Sequence, residues 1–206
     1  WEIYSRYAWI VLIFMNYPKT IQNLIECYKK LPGIGGKTAE RLALASMQLD
    51  DELIALFSES LVGVKTKIKR CNTCYNLTEE EKCMICSDPA RNHDIVCVVE
   101  EPRNVISFEK TGTYHGTYHV LDGLISPLDG VNPEDIHIDS LLDRIKKENI
   151  KEVILALKPS IEGETTSLYI SKKLEKENVI ITKIAHGIPL GADMEYIDSL
   201  TLGMAL

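Results

Sequence analysis

The spacing of apolar residues changes character once along the chain. Ile21, Leu24, Ile25 and Tyr28 recur at helical spacing and stop at Leu31-Pro32. A second helical pattern runs from Lys37 through Ala39, Leu42, Ala43 and Met47, and a third from Asp51 through Leu53, Leu56, Phe57 and Leu61. Beyond residue 86 the rhythm becomes one of short apolar runs alternating with helical ones. Strands are predicted over 95–99, 117–121, 152–157 and 179–184, and helices over 105–109, 138–147 and 165–177. That alternation predicts a mainly parallel sheet covered on both faces, with functional residues at the carboxyl ends of its strands. No internal repeat or low-complexity stretch interrupts either half.

Between the two patterns lies CNTCYNLTEEEKCMIC, residues 71–86. Two C-x-x-C pairs separated by eight residues set Cys71, Cys74, Cys83 and Cys86 on two turns that can converge on one tetrahedral ion, the spacing of a compact structural zinc site. Two disulfides or four unrelated thiols are the competing readings. A segment this short buries too little apolar surface to hold itself together, whereas zinc supplies about 10–16 kcal/mol of apparent binding energy. Four thiolates leave no open coordination position, which argues against a catalytic metal. Cys27 and Cys97 lie outside the quartet on apolar helix and strand patterns and are expected to fill core space. Cysteine usage of this kind suits a reducing compartment.

The first two helical patterns are joined by Leu31-Pro32-Gly33-Ile34-Gly35-Gly36, a helix-hairpin-helix arrangement. Gly33 and Gly35 let backbone amides face outward at the start of the second helix, where unpaired N–H groups and the positive end of the helix dipole hold phosphate oxygens. Lys37 and Arg41, one turn apart, add charge to that face. An αα-hairpin whose glycines only permit close packing is the plain alternative. Gly36-Lys37-Thr38 imitates the end of a Walker A loop, but Leu31 stands where that loop needs glycine and a helix precedes it where a strand belongs.

Composition changes this picture in one respect. The net charge of −7 would disfavour a polyanion if spread evenly, yet residues 16–70 carry nine Lys/Arg against six Asp/Glu, and residues 71–206 carry thirteen against twenty-three. A polyanion should meet the front half. Lys65-Thr66-Lys67-Ile68-Lys69-Arg70 is basic at nearly every second position, a phosphate-facing strip or a solvated face. The apolar run over 8–15 is too short to span a bilayer and lacks a small-residue cleavage site, so residues 1–14 are expected to be a non-native extension ahead of Met15.

Carboxylates mark two predicted strand ends, Glu100 and Glu101 after the first and Glu162 and Glu164 beyond the third, a pattern able to bind a divalent cation or simply to lie in solvent. The five histidines are scattered. Tyr114-His115-Gly116-Thr117-Tyr118-His119 could stack on bases, but aromatic residues entering a strand more often pack.

The order of these parts, with Cys86-Ser87-Asp88-Pro89, Val98-Val99-Glu100-Glu101-Pro102, Ser126-Pro127-Leu128-Asp129-Gly130, Glu162-Gly163-Glu164 and Ala185-His186-Gly187-Ile188-Pro189, resembles the bacterial recombination mediators of the RecR family from Asn16 nearly to the end. The resemblance implies an α/β multidomain protein: an extension over 1–14, a helix-hairpin-helix DNA-binding region over 15–70, a four-cysteine zinc finger over 71–93, a Toprim domain over 94–193 and a C-terminal segment over 194–206. It further implies one structural Zn2+, sequence-independent DNA contact through Gly33, Gly35, Lys37 and Arg41, and a homo-oligomeric, tetrameric ring. No catalysis is implied, and the setting is cytoplasmic and nucleoid-associated. The partners implied are RecO and RecF, with which the family loads recombinase on gapped single-stranded DNA. Catalytic Toprim proteins carry an Asp-x-Asp-x-Glu-Gly-Glu run where this chain reads Lys158-Pro159-Ser160-Ile161-Glu162-Gly163-Glu164. An ammonium in place of a metal-binding carboxylate weakens a divalent site, leaving Glu100, Glu162 and Glu164 to meet a partner or a weak cation. A Toprim nuclease or primase and a protein-binding zinc-ribbon adaptor are the rival functions. The chain also stops slightly before family members usually end.

Overall fold

The computed structural model describes residues 17–185, 187–188 and 191–205. The expectations placed on residues 1–16, His186 and Pro189 fall outside them. The chain forms two compact units, residues 1–66 and 67–206.

In the first unit, α1 (Lys19–Lys29) and α2 (Gly36–Ser46) pack against each other, and α3 (Asp51–Thr66) follows. Ala39 and Ala43 are fully buried on α2, small residues that let two short helices approach closely. Tyr17 donates to Glu40 at 2.6 Å, and the Tyr28 and Ser46 hydroxyls share a hydrogen bond at 2.8 Å, so the hairpin is tied at both ends. Asp50 starts α3 by accepting from the Leu53 amide at 2.7 Å. The helix runs a full turn past the predicted Leu61, to Thr66. Cys27 is exposed on α1, not core as expected, because the face of α1 that carries it meets no second layer among the described residues.

The second unit opens with a two-stranded hairpin, β1 (Lys69–Arg70) and β2 (Leu77–Thr78), and the one-turn helix α4 (Met84–Ser87). The chain then builds a four-stranded, all-parallel sheet from β3 (Asn92–Val99), β4 (Gly116–Val120), β5 (Glu152–Ala156) and β6 (Ile180–Lys183), in the order β4-β3-β5-β6. The crossovers contain α5 (Pro102–Glu109), α6 (Ile138–Glu148) and α7 (Ile161–Leu174); α8 (Ser199–Ala205) ends the described chain. Register sets Val98 beside both His119 and Leu155.

Period-two alternation divides the strand residues between two cores. Val96, Val98, Val153 and Leu155 face α6 and α7 through Leu141, Ile145, Ile170 and Leu174. Cys97, Val99, Tyr118, Val120 and Ala156 face the other way, onto Val105 of α5 and partly buried Tyr75 and Ile85. The aromatic tract entering β4 is therefore packing. Arg144 of α6 is buried against β4, donating to the Tyr118 carbonyl at 2.7 Å and the Thr117 hydroxyl at 3.1 Å while Glu148 balances its charge.

Helix α7 begins four residues before the expected Thr165, capped by Ser160, whose hydroxyl oxygen accepts from the Gly163 amide at 3.3 Å. Its first turn carries no apolar stripe, which hides it from periodicity. A Cβ on Gly163 would lie 1.9 Å from the Lys158 carbonyl oxygen, so only glycine lets the helix start this close to the end of β5. Gly163→Ala is expected to cost about 2 kcal/mol or more through forced backbone movement, read as a lower urea midpoint at unchanged slope.

Candidate metal centre and nucleic-acid interface

Each C-x-x-C pair sits on a tight turn. The Tyr75 amide donates to the Cys71 carbonyl at 3.0 Å, closing the first, and the Ser87 amide donates to the Cys83 carbonyl at 3.0 Å, closing the second. All four cysteines are buried, and their Sγ atoms lie within 4.8 Å of one another, Cys74 and Cys83 at 3.5 Å. A tetrahedron of Zn–S bonds near 2.3 Å spaces its sulfurs about 3.8 Å apart. The quartet fits that ion, and the Cys83 amide already donates to the Cys71 sulfur at 3.3 Å, favouring a thiolate there. Hydrogen bonds from the neighbouring cysteines hold the Cys71 thiol below its ordinary value, the direction a metal-ligating thiolate needs.

The finger is welded to the sheet. The Val120 amide of β4 donates to the Cys74 carbonyl at 2.8 Å. Tyr75 adopts a left-handed backbone, φ 61°, that swings its ring onto His137, stacked at 3.6 Å, with the His119 ring edge-on at 5.5 Å. Arg70 of β1 pairs with Asp122 at 2.8 Å. Burial drives His119 down to about 3, so it is neutral. Sequence reasoning missed Tyr75, Asp122, His119 and His137 as a joint; Tyr75, directly after Cys74, was the one place to look.

In the hairpin, Gly33 has φ +79°, a conformation that strains any other residue, and Gly35 is the N-cap of α2 with no side-chain cap. A Cβ at Gly35 or Gly36 would meet nothing within 4 Å. Space on the outer side of this turn is open, and the amides that begin α2 lack intrahelical acceptors by helix geometry. Gly33, Gly35, Lys37 and Arg41 are all exposed, the two cations one turn apart at the start of α2. This arrangement can hold an anion. The run at 65–70 is not one strip: Lys65 ends α3 and Arg70 is engaged with Asp122.

The three carboxylates do not gather. Glu100 lines a cleft of about 460 Å³ at the carboxyl end of the sheet with Arg103, Ser107, Phe108, Lys158 and Ile184. Glu162 and Glu164 lie in the first turn of α7; the Ser160 hydroxyl holds Glu162 below the usual carboxylate range, and Glu164 pairs with Lys183 at 2.6 Å. Among the described residues the cysteine quartet is the sole set of three or more His, Cys, Asp or Glu whose ligand atoms converge.

A helical hairpin, a four-cysteine finger and a parallel four-stranded α/β sheet define an α/β multidomain protein of the Toprim class with a structural zinc site. Family models agree part by part: RecR helix-hairpin-helix over residues 21–65, the RecR four-cysteine zinc finger domain over 68–88, Toprim domain over 94–185 and RecR C-terminal over 187–206. The chain is 45% identical over 192 residues to Recombination protein RecR of Staphylococcus haemolyticus (strain JCSC1435), covering 93% of this chain and 97% of that protein. It belongs to the RecR family, and its four cysteines hold one structural zinc ion.

Proposed function

We propose that this chain is a non-enzymatic, DNA-binding recombination mediator of recombinational repair, acting with RecO and RecF to load recombinase on gapped single-stranded DNA. The observation that carries this is the exposed hairpin, where open glycines, free helix-start amides and the Lys37–Arg41 pair face solvent within a chain of RecR-family order. Phosphate contacts of that kind are blind to sequence and sensitive to salt. Titration of zinc-loaded protein against single-stranded and duplex DNA across a salt series tests it. Steeply salt-dependent binding is expected, and a folded protein that binds neither DNA at low salt refutes it.

Within this reading, residues 15–70 carry DNA, 71–93 brace the sheet and 94–193 form the Toprim domain. Helix α3 supports self-association, as the ring of the family resemblance requires: no residue of it is buried, and Leu56, Leu61, Val62 and Val64 stand about 60% exposed. That much uncovered apolar helix calls for a second copy. No described helix is long and apolar enough to cross a membrane, which accords with a cytoplasmic, nucleoid-associated protein.

Lys158 shares the cleft of Glu100, and an ammonium there opposes the divalent cation that phosphoryl transfer needs. Glu100→Gln is expected to leave DNA affinity within twofold of wild type. Magnesium-dependent strand cleavage that vanished in this variant would instead establish a Toprim nuclease.

A further inference from the structure

The cleft at the carboxyl end of the sheet sits where the chain changes direction. β3 hands the chain to α5 on one face and on to β4 at one side, whereas its neighbour β5 hands it to α7 on the opposite face and on to β6 at the other side. Adjacent parallel strands whose exits diverge leave a crevice between them, and such crevices are where open α/β sheets take small ligands. Here Glu100 follows β3, Lys158 follows β5, Ile184 follows β6, and α5 contributes Arg103 and Phe108. The resulting cleft of about 460 Å³ lies within the range of small-molecule sites.

The charges in the cleft say which ligand it takes. Arg103 is already paired with Glu101. Lys158 attracts Glu162 of α7 from beyond ion-pair distance and makes no ion pair among the described residues; half-buried Glu100 makes none either, although both line the same cleft. The ammonium opposes a divalent cation, and the carboxylate opposes a bare anion such as inorganic phosphate. A ligand satisfies both only if it carries an anionic group at one end and hydrogen-bond donors at the other. Asn104 adds an oriented donor, because its side-chain oxygen accepts from the Glu101 amide at 2.8 Å and its NH2 group remains to meet a ligand oxygen. Phe108 and Ile184 give the cleft an apolar component against which a planar ring packs. Phosphate, sugar hydroxyls and an aromatic base are the parts of a nucleotide.

We infer that this cleft is a metal-independent nucleotide site, in which the Lys158 ammonium holds the phosphate and the Glu100 carboxylate accepts from the sugar hydroxyls. The ammonium after β5 supplies the positive charge that a divalent cation would otherwise bring. A carboxylate near a strand end meets ribose hydroxyls in dinucleotide-binding sheets in the same way. The 5′ end of a DNA strand also offers a terminal phosphate, but its first sugar has no 2′ hydroxyl and its 3′ oxygen is esterified, so a free nucleotide is the expected occupant. The inference goes beyond the mediator reading and does not depend on it, since the hairpin belongs to the other compact unit.

Equilibrium dialysis of the full zinc-loaded chain tests this, in magnesium-free buffer without chelator so that the finger keeps its metal, with AMP, GMP, CMP and UMP as probes. At least one is expected to bind one-to-one, at least tenfold more tightly than its nucleoside and at least threefold more tightly than its 2′,3′-dideoxy analogue. Lys158→Met should weaken that binding at least tenfold with circular dichroism and zinc content unchanged, because the Lys158 group that bonds the Ser160 amide is its backbone carbonyl, which methionine keeps. No retention of any of the four at about 1 mM, binding that requires magnesium, or binding that Lys158→Met leaves intact would each overturn the site while leaving salt-dependent DNA binding by the hairpin in place. A 5′-phosphorylated six-nucleotide DNA strand, added to the Lys37→Ala, Arg41→Ala chain, should bind more weakly than the nucleotide. Tighter binding of that strand, lost with its terminal phosphate, would assign the cleft to DNA ends and overturn the free nucleotide. Nucleotide binding by a chain that fails to bind DNA would refute the mediator reading alone and uphold the site.

Discussion

Cys71→Ser with Cys74→Ser, or removal of zinc by a strong chelator, is expected to unfold the finger and to loosen the sheet behind it. The finger has two-residue strands, a one-turn helix and a core made largely of its own four cysteines, so little apolar burial remains once the metal is gone. Zinc binding at such a site is worth about 10–16 kcal/mol, as much as the whole stability of a typical domain. The damage should spread along the contacts already described: the Cys74 carbonyl that satisfies Val120, the Tyr75 ring on His137, and Arg70 on Asp122. Hydrogen exchange should therefore quicken first at residues 71–87 and then at the Val120 amide, while amides in the middle of α1 and α2, in the other compact unit, stay protected. Unchanged protection of Val120 after complete loss of metal would mean that the finger hangs on the sheet without supporting it.

The second large effect is on DNA. Lys37→Ala with Arg41→Ala removes two cations from the opening turns of α2 without touching its packing face, since Ala39 and Ala43 are the buried residues of that helix. Each lost phosphate contact lowers the slope of log K against log salt by about 0.7 on single strands, so the double variant should lose about 1.4 from the slope. Affinity should fall at least tenfold at low salt and by a smaller factor as salt rises. Thermal stability should stay within a degree or two, because both side chains are exposed. An unchanged slope would assign the hairpin a purely structural role.

The sheet was legible because its strands are short apolar runs set between helical patterns, and β3, β4, β5 and β6 lie within a few residues of their expected bounds. What periodicity could not reveal was local chemistry with no apolar signal. The first turn of α7 reads Ile-Glu-Gly-Glu and looks like loop until the Ser160 cap and the Gly163 contact are seen. Cys27 occupied a helix of apolar pattern and proved exposed, since a helical stripe is buried only where a second layer meets it. The four zinc ligands could be named from spacing alone because coordination imposes that spacing within one short segment. The joint that seats the finger joins residues from Arg70 to His137 through ring stacking and a left-handed tyrosine. Contacts made across that much chain depend on the finished topology and leave no local pattern.

One consequence of the finger lying along β4 concerns the newly made chain. β4 is an outer strand of the sheet, and the Cys74 carbonyl occupies one of its outward amides. A chain that has not yet acquired metal leaves that border open as well as β6, and an all-parallel sheet forms slowly because its pairings are distant in sequence. Zinc supply during synthesis thus acts as a checkpoint on yield: in metal-poor cells the protein should collect in inclusion bodies before any loss of DNA binding could be measured.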